Sequence, residues 1–407
     1  MIKLSLALAF RNIVRNGRRS VMAVLAIGFG ITSLLLAGGF IEWNLRYGRE
    51  STIHSQLGHI RLFKPGYLES GQSDPFAFLF PLTPKQLELV KSDLPVRTIA
   101  PRLSFSGLVS HEEATISFIG EGVDPDLEGD LSRSITLVAG QAMSSDDPKG
   151  ILLGQGLAAN LGVKPGDLIV LVVNTAGGRI NAVEGTVRGL FATITKAYDD
   201  SALRVPIKLA RQLLRVDGAH SYAVLLDRTE DTDPVLSRLE ERFQGQVIEF
   251  VPWYRMADFY NKTAELFSKQ VGVVRLIIAV IIMLSIANSL MMSVLERTGE
   301  IGTMMALGTQ RSAILSLFLS EGVLLGFFGG ILGLLLGWLG ALGISAVGIP
   351  MPAPPGMAFG YTAGILLTWQ MALQGFALAI VTTLLASIYP AWKASQKIIV
   401  DALRHNR

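Results

Sequence analysis

The sequence contains no cysteine and carries little charge. Without cysteine the chain has no disulfide scaffold, thiolate zinc site, iron–sulfur cluster or cysteine nucleophile. Only 17% of its 407 residues are charged, against roughly a quarter in soluble globular domains. Half of the residues are apolar and the mean hydropathy is +0.44. This composition argues against a cytosolic enzyme.

Charge is distributed unevenly along the chain. Residues 42–270 contain 24 Lys and Arg against 29 Asp and Glu, whereas the remainder contains 12 against 4. An acidic block between basic, apolar flanks predicts a domain outside the membrane that is held by basic-flanked spans. A nucleic-acid-binding protein would instead collect basic charge on its folded domain, so nucleic acid is not expected as a partner.

Long uncharged runs predict four transmembrane helices. No charged residue occurs at 20–41, at 276–295 or in the 71 positions from 322 to 392, and a Pro- and Gly-rich break at 348–356 divides the last run. A helix needs about 20 apolar residues to cross a bilayer. The predicted segments are a cytoplasmic amphipathic segment at 1–19, spans at 20–41, 271–295, 312–345 and 365–392, an outer domain at 42–270, a cytoplasmic helix at 296–311, an extracytoplasmic hairpin at 346–364 and a cytoplasmic tail at 393–407.

Basic residues at both ends of the chain predict that both termini are cytoplasmic, because positive charge is retained on that side. Before the first span, Arg11, Arg15 and Arg18 share one helical face and Phe10, Ile13 and Val14 share the other. Two interpretations stay open for this segment, a helix in the headgroup plane and a merely basic flank. The basic residues that set the orientation are Lys3, Arg11, Arg15, Arg18 and Arg19 before the first span and Lys393, Lys397, Arg404 and Arg407 after the last.

The central block reads as an α+β domain. Alternating or apolar runs predict strands at 58–63, 115–119, 151–153 and 168–173, and a turn at 176–178 predicts a hairpin. Helices are predicted at 155–161 and at 258–274, the latter running without a loop into the second span. No P-loop, catalytic residue set or metal-ligand spacing occurs, so neither a catalytic site nor a metal site is expected.

Three aromatic residues, Phe76, Phe78 and Phe80, alternate between Pro75 and Pro81. This alternation predicts an edge strand with one aromatic face. Core packing is the default interpretation of that face. Contact with an acyl chain of a substrate is the alternative, which makes the three residues candidate substrate contacts.

Glycines recur at helical spacing in the third predicted span. Gly326 and Gly330, Gly329 and Gly333, and Gly333 and Gly337 form three overlapping G-x-x-x-G pairs. Small residues on one face allow helices to approach closely in lipid. We therefore predict a helix-packing seam along these residues rather than ordinary glycine enrichment.

The segment between the second and third spans is too short and too polar to cross a membrane. Glu296 and Glu300 suit the positive end of a helix dipole. Ile301, Met304 and Met305 would form an apolar stripe. A short helix with an exposed, Met-rich stripe is typical of docking into the groove of a partner protein.

The same segment resembles the E-R-x-x-E-I-G-x-x-x-A-x-G coupling-helix region of ABC transporter permeases of the MacB/LolC–LolE/FtsX family. Ser320-Glu321-Gly322 opens the third span as in that family, and Tyr-Pro-Ala-Trp-Lys-Ala-Ser at 389–395, with Asp-Ala-Leu-Arg at 401–404, is similar to the family's ending. Residues 150–173 look like the periplasmic domain of lipoprotein-release permeases. The resemblance covers the whole chain in the family's order.

The resemblance implies a helical membrane protein with four transmembrane helices and a large extracytoplasmic α+β domain inserted between the first and second. A separate cytoplasmic ABC ATPase dimer would bind ATP and magnesium, so this chain would be no enzyme and hold no cofactor. By the match, the residues that contact the ATPase are Glu296, Arg297, Glu300, Ile301, Met304, Met305, Ala306 and Gly308, the last also ending the helix.

The implied partners are this ATPase dimer, membrane lipid, a second copy or a homologous permease, and a periplasmic partner or lipoprotein cargo. The protein would lie in the inner membrane and extract or export a lipid-modified or hydrophobic substrate by mechanotransmission. Glu321 would be costly inside lipid, and it is expected near the cytoplasmic interface or facing the dimer.

Two other function classes stay open. The first is an FtsX-like transducer that relays the ATPase state to a cell-wall hydrolase without transport. The second, a membrane-anchored enzyme, is weak because no catalytic set is visible. One departure from the family also matters, because the permease that recruits a carrier chaperone uses a long hairpin after the strand equivalent to 168–173. Here the connection at 174–181 is short, which argues against direct chaperone recruitment.

Overall fold

The structure is a computed structural model that describes residues 2–71, 73–92, 94–193, 195–352 and 360–396. It forms two compact units. The helical unit comprises Met1–Leu45, Thr263–Pro350 and Thr362–Arg407, and the sheet unit comprises Arg46–Lys262 and Met351–Tyr361. Residues 353–359 of the predicted hairpin and the predicted ending motif at 401–404 lie outside the described residues.

The helical elements include four that are much longer than the rest. Besides the α-helices there is a π-helical turn at Ile53–Leu57 and there are 3₁₀ turns at Pro75–Phe78 and Thr229–Asp231. The α-helices are α1 (Ile2–Arg15), α2 (Gly17–Thr52), α3 (Tyr67–Ser70), α4 (Pro84–Lys91), α5 (Glu128–Leu131), α6 (Gln155–Leu161), α7 (Lys196–Asp199), α8 (Ile207–Leu214), α9 (Thr232–Arg242), α10 (Trp253–Met256), α11 (Asp258–Glu296), α12 (Thr298–Ala306), α13 (Arg311–Val347) and α14 (Trp369–Ser395).

The strands all lie between residues 60 and 363. They are β1 (Ile60–Phe63), β2 (Val96–His111), β3 (Ala114–Val123), β4 (Thr136–Gly140), β5 (Gly150–Gly154), β6 (Leu168–Asn174), β7 (Ile180–Ala192), β8 (Ala202–Pro206), β9 (Ser221–Leu226), β10 (Glu249–Pro252), β11 (Ile349–Met351) and β12 (Tyr361–Ala363).

The helical unit confirms the four predicted spanning helices. α2, α11, α13 and α14 are each long and apolar enough to cross a membrane. Their shared core contains Ile27 and Ile31 of α2, Ile282 and Ile286 of α11, and Ala379 of α14, all fully or almost fully buried. Many outward side chains are equally apolar, as expected of helices that face lipid.

The sheet unit is built on one ten-stranded mixed sheet. The strand order is β10-β1-β9-β2-β3-β8-β5-β7-β4, and β6 pairs with β2 and β7. The pairs β3–β8 and β5–β7 are parallel. One apolar cluster packs α6 and α8 against the sheet, and a second packs α4 and α9. This arrangement confirms the predicted α+β domain.

Most of the predicted elements of this domain are present with small changes in their bounds. β5, α6 and β6 follow one another as expected, and β6 pairs with β7 in an antiparallel hairpin. The connection between these two strands runs only from 175 to 179. α11 is unbroken from Asp258 to Glu296, which confirms that no loop precedes the second span.

The predicted edge strand at 76–80 is wrong. The segment Pro75–Phe78 forms a 3₁₀ turn, and Phe80 makes an isolated antiparallel bridge to Ala219. Pro75 is the first residue of the turn, where its fixed φ suits a helix and its missing N–H is not needed. The alternating aromatic residues therefore lie on a 3₁₀ turn and the bridge that follows it, and they do not form one face of a strand.

The N-terminal segment forms a separate helix, α1, that packs against α13. Ala9 is fully buried, and the rings of Phe10 and Phe328 lie 6.2 Å apart. Asn12 donates a hydrogen bond of 2.8 Å to Glu321. The segment is thus a packed part of the helical unit and more than a basic flank.

Candidate functional site

The short helix α12 lies between α11 and α13 and is shorter than the predicted helix at 296–311, because Glu296 is the last residue of α11 and α12 begins at Thr298. Glu300 stands in its first turn, near the positive end of the helix dipole. Gly308 follows the last turn with φ of 93°, a conformation that glycine adopts without strain. The amide of Gly308 donates to Met305 and that of Thr309 to Met304, so these two bonds satisfy the last carbonyls of the helix.

The predicted exposed stripe on α12 is wrong in one respect. Ile301 is 4% exposed and packs in a cluster with Val294, Phe318 and other apolar residues of α11, α13 and α14. Met304 and Met305 are only partly exposed. The helix turns its first apolar residue inward because that side faces the ends of three longer helices.

The opposite face and the end of α12 are open. Leu307, which follows the last turn of α12, is 83% exposed. Of the residues predicted to contact the ATPase, those exposed are Glu296, Glu300, Ala306 and Gly308, and those buried are Arg297 and Ile301. A partner that approached this helix would therefore meet Leu307 and the four exposed residues.

Arg297 and Glu321 form a buried ion pair behind α12. Nη1 of Arg297 lies 3.0 Å from Oε1 of Glu321, and their side chains are 10% and 5% exposed. The same carboxylate oxygen accepts the hydrogen bond from Asn12. Glu321 therefore faces the interior of its own chain, beside the start of α12, and its position near the cytoplasmic interface stays a prediction. A charge in an apolar helix is tolerated here because it is paired.

Two further ion pairs tie α12 and the end of α11 to the N-terminal helices. Nη2 of Arg15 lies 2.6 Å from Oε2 of Glu300, and Arg19 pairs with Glu296. Nε of Arg297 also donates to Glu300 at 3.1 Å. The hydrogen bond from Arg15 lowers the pKa of Glu300 from its ordinary value, and Arg297 lowers it further.

Sequence reasoning missed four residues of this site, namely Asn12, Arg15, Arg19 and Leu307. The partners of the first three are 277 to 309 positions away in the chain. Arg15 and Arg19 were assigned only to membrane orientation, and no periodicity connects them with α12. Leu307 follows the helix, where its exposure depends on how the chain turns toward α13.

The predicted glycine seam has two sides. A Cβ added at Gly326 or Gly330 would meet α14, at Thr383 or Phe376. The other stripe, Gly329, Gly333 and Gly337, faces Ile27, Ile31 and Leu35 of α2. α13 therefore packs closely on two neighbours of the same chain.

We expect Gly333→Ala to destabilise the helical unit by about 1–3 kcal/mol, the usual cost of overpacking. The added Cβ would lie 2.6 Å from Cβ of Ile31 and 2.9 Å from the carbonyl oxygen of Gly28. The measurement is thermal unfolding of the detergent-solubilised protein. Gly343→Ala is the matched control on the same helix, because its Cβ meets nothing within 4 Å. Equal unfolding midpoints for the two variants would contradict the two-sided seam.

An apolar cleft lies between α2 and α11 within the helical unit. Its volume is 480 Å³, and its lining includes Leu34, Ala37 and Ile41 of α2 and Val274 of α11. Lys269, which also lines it, is paired with Glu265 at 2.7 Å. A cleft of this size and character accepts apolar chains.

The structure separates the three predicted aromatic contacts in the sheet unit. Phe76 lines a cavity of 560 Å³. Phe78 packs edge-on against Tyr67, and Phe80 packs edge-on against Tyr222. Only Phe76 is therefore placed where a ligand of this unit would meet it.

The sequence matches two described families in succession. Residues 20–242 match the family described as MacB-like periplasmic core domain, and residues 272–398 match the FtsX-like permease C-terminal family. The chain is 24% identical to an uncharacterized ABC transporter permease of Methanocaldococcus jannaschii, over 97% of this chain and 96% of that one. It is 23% identical to the lipoprotein-releasing system transmembrane protein LolE of Haemophilus influenzae, over 74% of this chain and 76% of that one.

A solved structure of the periplasmic region of MacB from Actinobacillus actinomycetemcomitans covers 50% of this chain and 94% of its own, with 13% identity and a TM-score of 0.37. The MacB-like match alone covers more than half of the chain, and the FtsX-like match includes the second to fourth long helices and α12. The protein is therefore a membrane-embedded ABC transporter permease of the MacB/LolC–LolE/FtsX family, with its MacB-like domain inserted between the first and second transmembrane helices.

Proposed function

We propose that a separate cytoplasmic ABC ATPase dimer drives this permease by binding α12 of each of two permease chains. The observation that carries the proposal is the open end of α12, where Leu307 is 83% exposed and is followed by the exposed Gly308. A short helix that presents a large apolar side chain suits docking into an apolar groove of a partner protein. ATP and magnesium would bind to the ATPase, and this chain would hold no cofactor and catalyse no reaction of its own.

The ion pairs around α12 would pass its movement to the rest of the helical unit. Arg15 joins α12 to α1, Arg19 joins the end of α11 to α2, and the Arg297–Glu321 pair joins this corner to α13. A partner shifts a protein between conformations only if it binds them with different affinity. Nucleotide-dependent binding at α12 would supply that difference, with both termini on the cytoplasmic side of the inner membrane.

The cargo we propose is a lipid-modified or otherwise hydrophobic molecule taken from the outer leaflet or the periplasm. Support comes from the 480 Å³ apolar cleft between α2 and α11 and from the similarity to a lipoprotein-releasing system protein. The short connection between β6 and β7 offers no long protruding hairpin for a carrier chaperone, so a periplasmic partner would bind elsewhere or be absent.

Docking is tested by Leu307→Asp and Met304→Asp in pulldowns of the tagged permease from its native membranes. We expect the amount of ABC ATPase that copurifies with each variant to be at least tenfold lower than with the wild type. The reason is that a charge buried in the interface without a partner opposes binding. Leu68→Asp is the matched control, because Leu68 is 50% exposed and lies in the sheet unit. Undiminished ATPase in the Leu307→Asp sample would refute docking at this helix.

The cargo proposal is tested by a photocrosslinker placed at Ala37, which lines the apolar cleft. In intact cells we expect it to capture a lipid-modified polypeptide, whereas a crosslinker at the exposed Leu342 of α13 captures only bulk lipid. An FtsX-like transducer would give a different result. The crosslinker at Ala37 would then capture only bulk lipid, and a crosslinker placed in the sheet unit would capture a cell-wall hydrolase.

A further inference from the structure

A gap interrupts the strand pairing along β2 in the sheet unit. On one side β2 pairs with β3 without a break. On the other side it pairs with β9 as far as Arg102 and with β6 only from Gly107. Residues 103–106 therefore have no strand partner on that side within the described part of the chain. The amide of Ser104 donates instead to Nδ1 of His220 at 3.1 Å.

The cavity of 560 Å³ that Phe76 lines lies at this gap. Ser104 and Ser106 line it, and so does Phe105 between them. Successive side chains of a strand point to opposite faces of a sheet, so a cavity that reaches all three opens through the gap. Its volume falls within the usual range of ligand sites in proteins.

The lining combines apolar and neutral polar side chains, and no charged residue occurs among the described residues that form it. The apolar part includes Phe76, Leu214 and Ile119, which is 55% exposed. Ser106, which pairs with Ile119 across β2 and β3, and Asn174 at the end of β6 are polar and exposed. Their side chains have no hydrogen-bond partner among the described residues. The cavity therefore offers neutral donors and acceptors beside an apolar surface.

The charged side chains in the middle of the sheet belong to a separate buried cluster, where they pair with one another. None of these five side chains lines the cavity. An ionised group that is buried without a partner is costly, so an ionic ligand would find no compensating charge on the cavity surface. The members of the cluster are Arg61, Arg102, Arg204, Glu121 and Glu128.

We propose that this cavity binds an uncharged amphiphile of the monoacylglycerol class, with its glycerol head at Ser106 and Asn174 and its acyl chain against Phe76. Hydroxyl and ester groups are neutral partners for serine and amide side chains. A cavity of roughly 150 Å³ accepts benzene, so 560 Å³ has room for about 20 non-hydrogen atoms. Lauroylglycerol has this size. The site uses no residue of α12 or of the apolar cleft between α2 and α11, so it does not rest on the proposed function.

The test is photolabelling of the full-length permease in lipid nanodiscs by lauroylglycerol that carries a diazirine in its acyl chain. Mass spectrometry then identifies the labelled peptides. We expect the peptide that contains Phe76 to be labelled, and an excess of unlabelled lauroylglycerol to lower this labelling at least tenfold. Laurate, which has the same chain and an ionised head, should lower it less than twofold. Labelling of the four long helices reports partitioning into the bilayer and should change less than twofold with either competitor.

Ser106→Phe should lower labelling of the Phe76 peptide at least tenfold, because the ring fills the cavity. The matched control is Ser237→Phe, the same replacement at an exposed serine of α9, which should be labelled like the wild type. Asn174→Lys adds a cation beside the head group, so laurate should then compete at least tenfold better. This gain tests the site even where Ser106→Phe fails to fold.

Four results would overturn the proposal. They are no labelled peptide in the sheet unit, equal competition by laurate and lauroylglycerol in the wild type, equal labelling of the two phenylalanine variants, and unchanged competition by laurate in Asn174→Lys.

Discussion

Replacing Glu321 with glutamine is expected to lower the free energy of unfolding of the helical unit by about 3–5 kcal/mol, the usual cost of leaving a buried charge without its partner. Arg297 is 10% exposed and would retain only the half-exposed Glu300 as an anionic neighbour. Denaturant or thermal unfolding of the detergent-solubilised protein measures the change. A large effect is expected because the guanidinium is almost enclosed, so little water can replace the lost carboxylate.

Two further variants show whether the pair itself is responsible. Arg297→Met combined with Glu321→Gln removes both charges, so the double variant should recover much of the stability that the single variant loses. Glu296→Gln breaks the exposed pair with Arg19, whose side chains are 41% and 49% exposed, and should cost less than about 1 kcal/mol. Equal losses for Glu321→Gln and Glu296→Gln would show that Glu321 is not buried in this pair.

The second large effect is expected in the sheet unit, where Glu121→Gln should cost about 3–5 kcal/mol. Glu121 lies within 4 Å of three guanidiniums, those of Arg61, Arg102 and Arg204. The glutamine has nearly the same shape but carries no charge, so three buried cations would share the single carboxylate of Glu128. Unfolding of the wild type and the variant, followed by far-UV circular dichroism at neutral pH, measures the difference.

The stability difference between the wild type and Glu121→Gln is also expected to depend on pH, in a direction that the pKa of Glu121 determines. The pKa of Glu121 is below its ordinary value in the folded protein. Its contribution to stability is therefore complete above the unfolded pKa of about 4.3 and is lost as pH falls through the lower folded pKa. The stability difference between the wild type and Glu121→Gln should shrink as pH falls below about 4.

An exposed pair in the same unit provides the control for both measurements. Asp130 and Arg97 lie 2.7 Å apart, with side chains 44% and 50% exposed. Asp130→Asn should cost less than about 1 kcal/mol, because water and salt screen such pairs. A Glu121→Gln variant as stable as Asp130→Asn, or one whose deficit stays constant down to pH 3, would contradict the buried cluster.

Much of the architecture could be predicted because its signals are local. Hydropathy over about 20 residues identifies a spanning helix without knowledge of its neighbours, and all four were found. The run of β5, α6 and β6 was also found, since each element carries its own periodicity and the turns between them contain glycine or proline. The motif of α12 was visible for the same reason, as was its end at Gly308.

The errors arose where a local pattern was compatible with more than one environment. Phe76, Phe78 and Phe80 alternate like a strand, but the proline before them and the bridge at Phe80 produce a turn. Ile301 has the spacing of an exposed stripe, but it is buried because Phe318 and Val294 pack against that side of the helix. Periodicity identifies a face of a helix without saying what covers it.

By itself the sequence determined that this protein has four membrane helices, an inserted α+β domain and a short polar helix between the second and third spans, because hydropathy, charge and turn residues act over short stretches of chain. Only the tertiary structure decided which charges meet. The pairs Arg15–Glu300 and Asn12–Glu321 join positions 285 and 309 apart, and the cluster around Glu121 draws on four strands and a short helix. Such contacts depend on how distant elements pack, and a charge in the sequence does not reveal whether its partner lies in water or in the core.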